Sequence, residues 1–175
     1  VCLFRKQRRH NHIQHRCNIN ADSTKAIDER ITKGMMIMDK NLLRELAQSF
    51  IGTPHINGGN IKGAGLDCCT LPAQIFHEAG LGDYTIDFNY SADWFCQKGC
   101  KEILLPYLEK YCVRVEKLEP GDVISYRWGR AEYAHLAVYL GDNVVVHCRA
   151  ASGVEFVEAD APCFYDSRGR SRISG

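Results

Sequence analysis

Cys68, His135 and His147 are residue types that together perform nucleophilic catalysis. Cys68 follows a glycine-rich loop (Gly58, Gly59, Gly63, Gly65) and precedes an apolar, helix-like segment, while both histidines lie in stretches that alternate like strands. In such a set a thiolate attacks a carbonyl carbon, one imidazole is its base, and a third polar group holds that imidazole in position. The amides and dipole of a helix start stabilise a thiolate and help bind an oxyanion. Pro72 agrees with a helix that begins at Cys68 or Cys69, because proline is tolerated in a first turn and removes a backbone bond further in. Cys69 is the competing nucleophile. Successive helical side chains point about a hundred degrees apart, so only one of the two thiols faces the histidines, and spacing alone does not choose between them.

The two histidines are expected on one face of a hairpin. In the strand Ala134-His-Leu-Ala-Val-Tyr-Leu140, His135, Ala137 and Tyr139 share a face. Gly141-Asp142-Asn143 is a turn signal, and Val144-Val-Val-His-Cys148 follows. A three-residue loop pairs Leu140 with Val144 and sets His147 opposite Ala137, diagonal to His135, with Cα atoms about 7–8 Å apart. A two-residue loop would send the imidazoles to opposite faces.

The elements that must position these groups follow an α+β order. Residues 39–51 read as an amphipathic helix whose apolar face is Leu42, Leu43, Leu46, Ala47 and Phe50, ended by Gly52 and Pro54. Residues 52–67 form a loop. Residues 69–79 form a second helix, with Leu71, Ile75, Phe76 and Ala79 on one side and Gly80 as its stop. One or two short helices occupy 91–111, broken at Pro106. Leu118-Glu-Pro-Gly-Asp122 is a turn. Strands are expected at 123–127, 134–140, 144–148 and 154–158. Helices first and strands afterwards make an α+β domain with an antiparallel sheet.

With 175 residues, 45% of them hydrophobic and 25% charged, the chain has the composition of one globular domain. No apolar run approaches the roughly 18 residues of a membrane span. The basic start is not followed by the apolar stretch of a signal peptide, so synthesis in a cytoplasm is expected. The net charge of +1 is unevenly placed: residues 1–33 hold eight Lys/Arg against three acids, the remainder 14 against 18. A basic tail can bind nucleic acid or an anionic surface. This one has few apolar anchors and reads instead as a poorly ordered leader. The catalytic domain is then 34–175, nucleic-acid binding is not expected, and removing 1–33 should shift the melting temperature by a few degrees at most. Nine cysteines, an odd number, suit reduced thiols better than a disulfide framework. Cys96, Cys100 and Cys112 match no zinc spacing and read as structural, so neither metal nor cofactor is expected. A metal held by Cys68, Cys69, His135 and His147 would need both thiols to face inward.

Ile51-Gly-Thr-Pro-His-Ile-Asn-Gly-Gly59, Leu66-Asp-Cys-Cys-Thr-Leu71, Leu118-Glu-Pro-Gly-Asp-Val-Ile124, Ala134-His-Leu-Ala-Val-Tyr-Leu-Gly141 and Val146-His147 together resemble the NlpC-type cell-wall cysteine peptidases, the NlpC/p-sixty superfamily of papain-like fold. The resemblance covers about residues 40–150. Lys62-Gly-Ala-Gly-Leu-Asp-Cys68 and Phe76-His-Glu-Ala-Gly-Leu81 are most similar to its phage and prophage branch, whose members accompany tail assembly or enter with the tail tip. The resemblance implies N-terminal helices, with the nucleophile at a helix start, packed on an antiparallel sheet. It implies Cys68 as nucleophile, His135 as base and His147 as the orienting residue, acting without a cofactor. It implies hydrolysis of a peptidoglycan stem-peptide amide, typically γ-D-glutamyl to a diamino acid, with phage tail proteins as further partners and delivery to the cell wall as part of a tail. Asp67, His55, Cys69, Gly58 and Gly59 fall along the implied substrate cleft. Asp67 matches an acidic residue that meets a substrate amine, or it caps the helix. Three positions depart from the pattern: Cys69 and Thr70 replace Ser and Gly, His55 stands where a Tyr is common, and Pro72 replaces an aliphatic residue. Two further functions remain open: an amidase or acyl transferase using the same Cys–His pair, and a tail component that keeps the fold without activity.

Overall fold

The computed structural model describes residues 12–17, 40–86 and 89–164. The rest of the basic leader and residues 34–39, 87–88 and 165–175 lie outside the described residues. Six strands form one antiparallel sheet: β1 (His12–Cys17), β4 (Cys112–Arg114), β5 (Val123–Trp128), β6 (Ala131–Gly141), β7 (Val144–Arg149) and β8 (Gly153–Glu158), in the order β4-β1-β5-β6-β7-β8. A small ladder joins β2 (Asn60–Ile61) to β3 (Gly65–Leu66). The helices are α1 (Lys40–Gln48), α2 (Thr70–Glu78) and α3 (Leu105–Tyr111). The protein is thus α+β, and among the described residues no helix is long and apolar enough to cross a membrane.

Strand alternation splits the core in two. On one face Val123, Leu136, Val138 and Val146 meet Leu43 and Phe50 from the first helical segment and Leu71 and Ile75 of α2. On the other face Ile124, Tyr126, Ala137 and Val145 pack with Phe164. Leu43 and Ala47 of α1 are buried as their spacing requires, but Leu42 is exposed. It precedes Leu43 and so points about a hundred degrees away from the packed stripe. Gly80 ends α2 at a φ of +70°, and the amide of Leu81 reaches back to the carbonyl of Phe76 at 2.9 Å, the bond pattern of a glycine-terminated helix. Pro106 starts α3 rather than breaking a helix, because its missing amide costs nothing in a first turn.

The basic leader is not uniformly separate from the domain. Residues 12–17 are an inner strand, paired with β4 on one side and β5 on the other. Arg16 grips the buried Asp122 through Nε (2.7 Å) and Nη2 (3.0 Å), and His15 is buried. Cys17 lies opposite Cys112, their Sγ atoms 2.6 Å apart. This corrects the expected poorly ordered leader for these six residues. A strand of Gln14, Arg16 and other polar residues has no apolar period, so only its partners reveal it. Deleting residues 1–17 would split the sheet and leave Asp122 without its guanidinium. The expected result is a fall in melting temperature of more than about 10 °C, measured by scanning calorimetry, instead of the few degrees that a loose tail would give.

Candidate active site

The histidines stand where their alternation predicts, by a different route. Ala137 pairs with His147, Val138 with Val146 and Tyr139 with Val145, but Val144 pairs with Gly141 instead of Leu140. The loop is therefore two residues, Asp142 and Asn143, at φ +51° and +60°, the left-handed pair of a tight hairpin turn. A β-bulge between Tyr139 and Gly141 restores the lost residue of register, so both imidazoles keep one face. Arg44 of α1 takes up the bulge, its Nε donating to the Leu140 carbonyl (3.1 Å) and its Nη2 to that of Gly141 (2.9 Å).

His135 Nε2 and His147 Nδ1 are 3.0 Å apart, and His147 Nε2 lies 3.2 Å from Glu155 Oε1, its directly opposite partner on β8. Both rings are buried. Trp128 stacks on His135 with ring centres 4.1 Å apart, and Phe164 meets the edge of His147 at 5.0 Å. Burial pushes the His135 imidazole well below its ordinary range, and the neighbouring His147, His55 and Arg149 add to this. Burial also lowers His147, to about 4, against the pull of Glu155. Both histidines are therefore neutral near pH 7. On Glu155 burial acts upward, but bonds from Ser152 and Arg149 hold its carboxyl below the usual value.

Asp67 organises the start of α2. Its Oδ1 accepts from the amides of Cys69 and Thr70, both at 2.9 Å, and its own amide donates to Thr70 Oγ1 at 3.0 Å, a reciprocal capping arrangement. Oδ2 accepts from the Gly58 amide (2.7 Å) and from the Tyr90 hydroxyl. Asp67 is buried with both oxygens engaged, so of its two sequence roles the structure shows the cap, and the expected meeting with a substrate amine has no exposed carboxylate to serve it. The same bonds withdraw the Cys69 and Thr70 amides from an oxyanion role. Thr70 also donates to the Gly59 carbonyl at 2.6 Å, tying the glycine-rich loop to the helix. Gly59 has to be glycine, because a Cβ there would lie 2.7 Å from the Gly65 carbonyl oxygen.

Cys68 and Cys69 separate as helix geometry demands. Cys69 is buried in the core between α2 and the sheet, which overturns its placement in the substrate cleft. Its bond to Cys68 and its burial raise its thiol well above the ordinary value. Cys68 is half-buried, its Sγ 3.8 Å from Cys69 Sγ. No hydrogen bond joins Cys68 to His135. The apolar residues of α2 share a core with Leu136, Val138 and Val146, which alternate with the histidines, whereas the imidazoles face the Tyr126–Phe164 side. The histidine pair is thus built by the sheet alone, and the thiol by the loop and helix. His55 is half-exposed, bridges to Leu66, and lies close enough to affect His135. Gly58 is exposed and Gly59 half-buried.

In a comparison with curated proteins the chain is similar to the tail tip assembly protein K of Escherichia phage lambda, at 30% identity over 107 residues. The match takes in 59% of this chain and 52% of that protein, so the chain spans about half the length of that relative. No protein-family model matches the chain. Glu155, Trp128 and Phe164 escaped the sequence reading. For Glu155 a signal exists: it is the carboxylate on the polar side of the strand after His147. Trp128 and Phe164 have no such signal.

Proposed function

We propose that the chain is a cysteine peptidase of NlpC type and papain-like fold that cleaves a stem-peptide amide of bacterial peptidoglycan. The observation that carries this reading is the buried, neutral His135–His147 pair, hydrogen-bonded through Nε2 and Nδ1. Among the described residues nothing bonds to His135 Nδ1, and Cys68 stands half-buried at the start of α2. In the reaction His135 Nδ1 takes the proton of Cys68, and the sulphur attacks the amide carbon. His135 then returns the proton to the leaving amine, and water hydrolyses the thioester. His147 holds the ring of His135. In this reading the Cys68 amide, which Asp67 does not use, donates to the oxyanion. The Cys68–His135 contact in this reading forms only when substrate is bound, catalytic hydrogen bonds commonly being long or misaligned in a free enzyme. The likeness to a tail tip assembly protein supports association with a phage tail, and His55, Gly58 and Gly59 form the entry to the cleft.

A second reading, a tail component without activity, draws on the missing Cys68–His135 bond. One experiment separates the two. The whole chain is incubated with purified peptidoglycan and the soluble fragments are read by mass spectrometry. Fragments carrying a free γ-carboxyl and a free diamino-acid amine support the peptidase. Intact stem peptides in every fraction support the idle component.

A further inference from the structure

Glu155 lies at the end of a hydrogen-bonded series that begins at His135. An ionised carboxylate only accepts hydrogen bonds. Facing Glu155 Oε1, a neutral His147 must carry its proton on Nε2, which leaves its Nδ1 bare. That bare Nδ1 can only accept, so the neutral His135 must carry its proton on Nε2 and keep Nδ1 as a lone pair. Reversing either tautomer sets two lone pairs or two protons face to face. The carboxylate is itself fixed. Ser152 Oγ at 2.5 Å and Arg149 Nε at 2.9 Å donate to the same Oε1. The β7–β8 hairpin is held to the loop before His55 by Val154 N to Thr53 O at 2.9 Å and Gly52 N to Val154 O at 3.1 Å. Gly153, at φ +69°, lies so close to Thr53 that a Cβ would stand 2.4 Å from its carbonyl oxygen.

We propose that Glu155 is a positioning residue that sets the proton arrangement of both histidines, so that the free lone pair of the pair is His135 Nδ1. The arrangement needs no contact with substrate and is present before Cys68 engages. The inference rests on the peptidase reading for its consequence, but its geometry stands without it. The other charged or titratable groups that bear on the pair are Arg149 and His55. Arg149 favours an ionised Glu155.

The test is nitrogen-15 NMR of the histidine rings at pH 7.5 in the wild-type chain, Glu155→Ala and Glu155→Gln. The wild type should show both rings protonated at Nε2 alone. Glu155→Ala should move His147 and His135 toward mixed tautomers. Glu155→Gln should return most of the wild-type pattern, because Arg149 and Ser152 hold its amide oxygen where the carboxylate oxygen stood. With peptidoglycan as substrate, Glu155→Ala should lower kcat about ten- to a hundredfold with KM little changed, as loss of an outer orienting partner does. Wild-type tautomers that persist in Glu155→Ala would overturn the proposal. A wild type that cleaves nothing would end the peptidase reading and leave the NMR result to decide on Glu155.

Discussion

If the chain is the proposed peptidase, alanine at His135 is expected to lower hydrolysis to less than about one part in a thousand, because a base of this kind contributes about 10²–10⁴ in rate. Cys68→Ala removes it altogether. His147→Ala is milder, about ten- to a hundredfold, since the base survives and only its orientation is loosened. Cys69→Ala retains much of the rate, because that thiol lies in the core with the sheet and not at the surface. The measurement is amine release from peptidoglycan under initial-rate conditions, with thermal melts showing that each variant folds. Alkylation supplies a second readout. Cys69 is held well above its ordinary range, by its bond to Cys68 and by burial, and burial pushes the Cys148 thiol up to about 12. Cys68, the one of these three thiols that is not buried, is expected to label first. A His147 variant worse than the His135 variant, or an essential Cys69 with a dispensable Cys68, would refute the assignment.

The fold is also expected to be acid-labile well above the carboxylate range. His15, His135 and His147 are buried and neutral, with burial lowering His15 and His147 to about 4 and His135 well below its usual value. In the unfolded chain each titrates near 6.5. Because the folded values are the lower ones, the unfolded state binds more protons between them. Stability is therefore complete above about pH 6.5 and is lost as the pH falls toward 4. At pH 5 His15 and His147 each cost on the order of 2 kcal/mol, a large share of the about 5–15 kcal/mol of an ordinary domain, and His135 acts in the same direction. The lowered carboxyl of Glu155 works in the same direction, and its share is lost only as the pH falls below the ordinary carboxylate value. Melting temperature should be level from pH 8 to 7 and fall steeply by pH 5. A His15→Phe variant, which removes one of the three protons taken up, should reduce that slope by about a third. A melting temperature independent of pH between 7 and 5 would show that these imidazoles are not held neutral.

Local pattern was enough for much of this molecule. The 3.6-residue period of Leu43, Ala47 and Phe50, the pairing of a proline near the start of α2 with a glycine at its end, and two-residue alternation through 123–158 each bind neighbours a few residues apart, so the chain displays them directly. The shared face of His135 and His147 was legible for the same reason, since alternation within each strand counts by two. Longer-range choices were not legible. Whether the turn took two residues or three depended on a bulge that Arg44, almost a hundred residues away, stabilises at the Leu140 and Gly141 carbonyls. The strand at His12–Cys17 exists because β4 and β5 offer edges on both sides and Asp122 waits for Arg16. Nothing within that segment distinguishes it from a charged tail. Asp67 could cap or contact substrate on sequence grounds, and only the approach of Gly58 and Tyr90 to its second oxygen committed it to structure. The sequence proposed a thiol and two imidazoles. The tertiary fold added the carboxylate of Glu155 beneath them and set the thiol apart from the pair, because side-chain partners across strands and layers are decided by packing that no local spacing encodes.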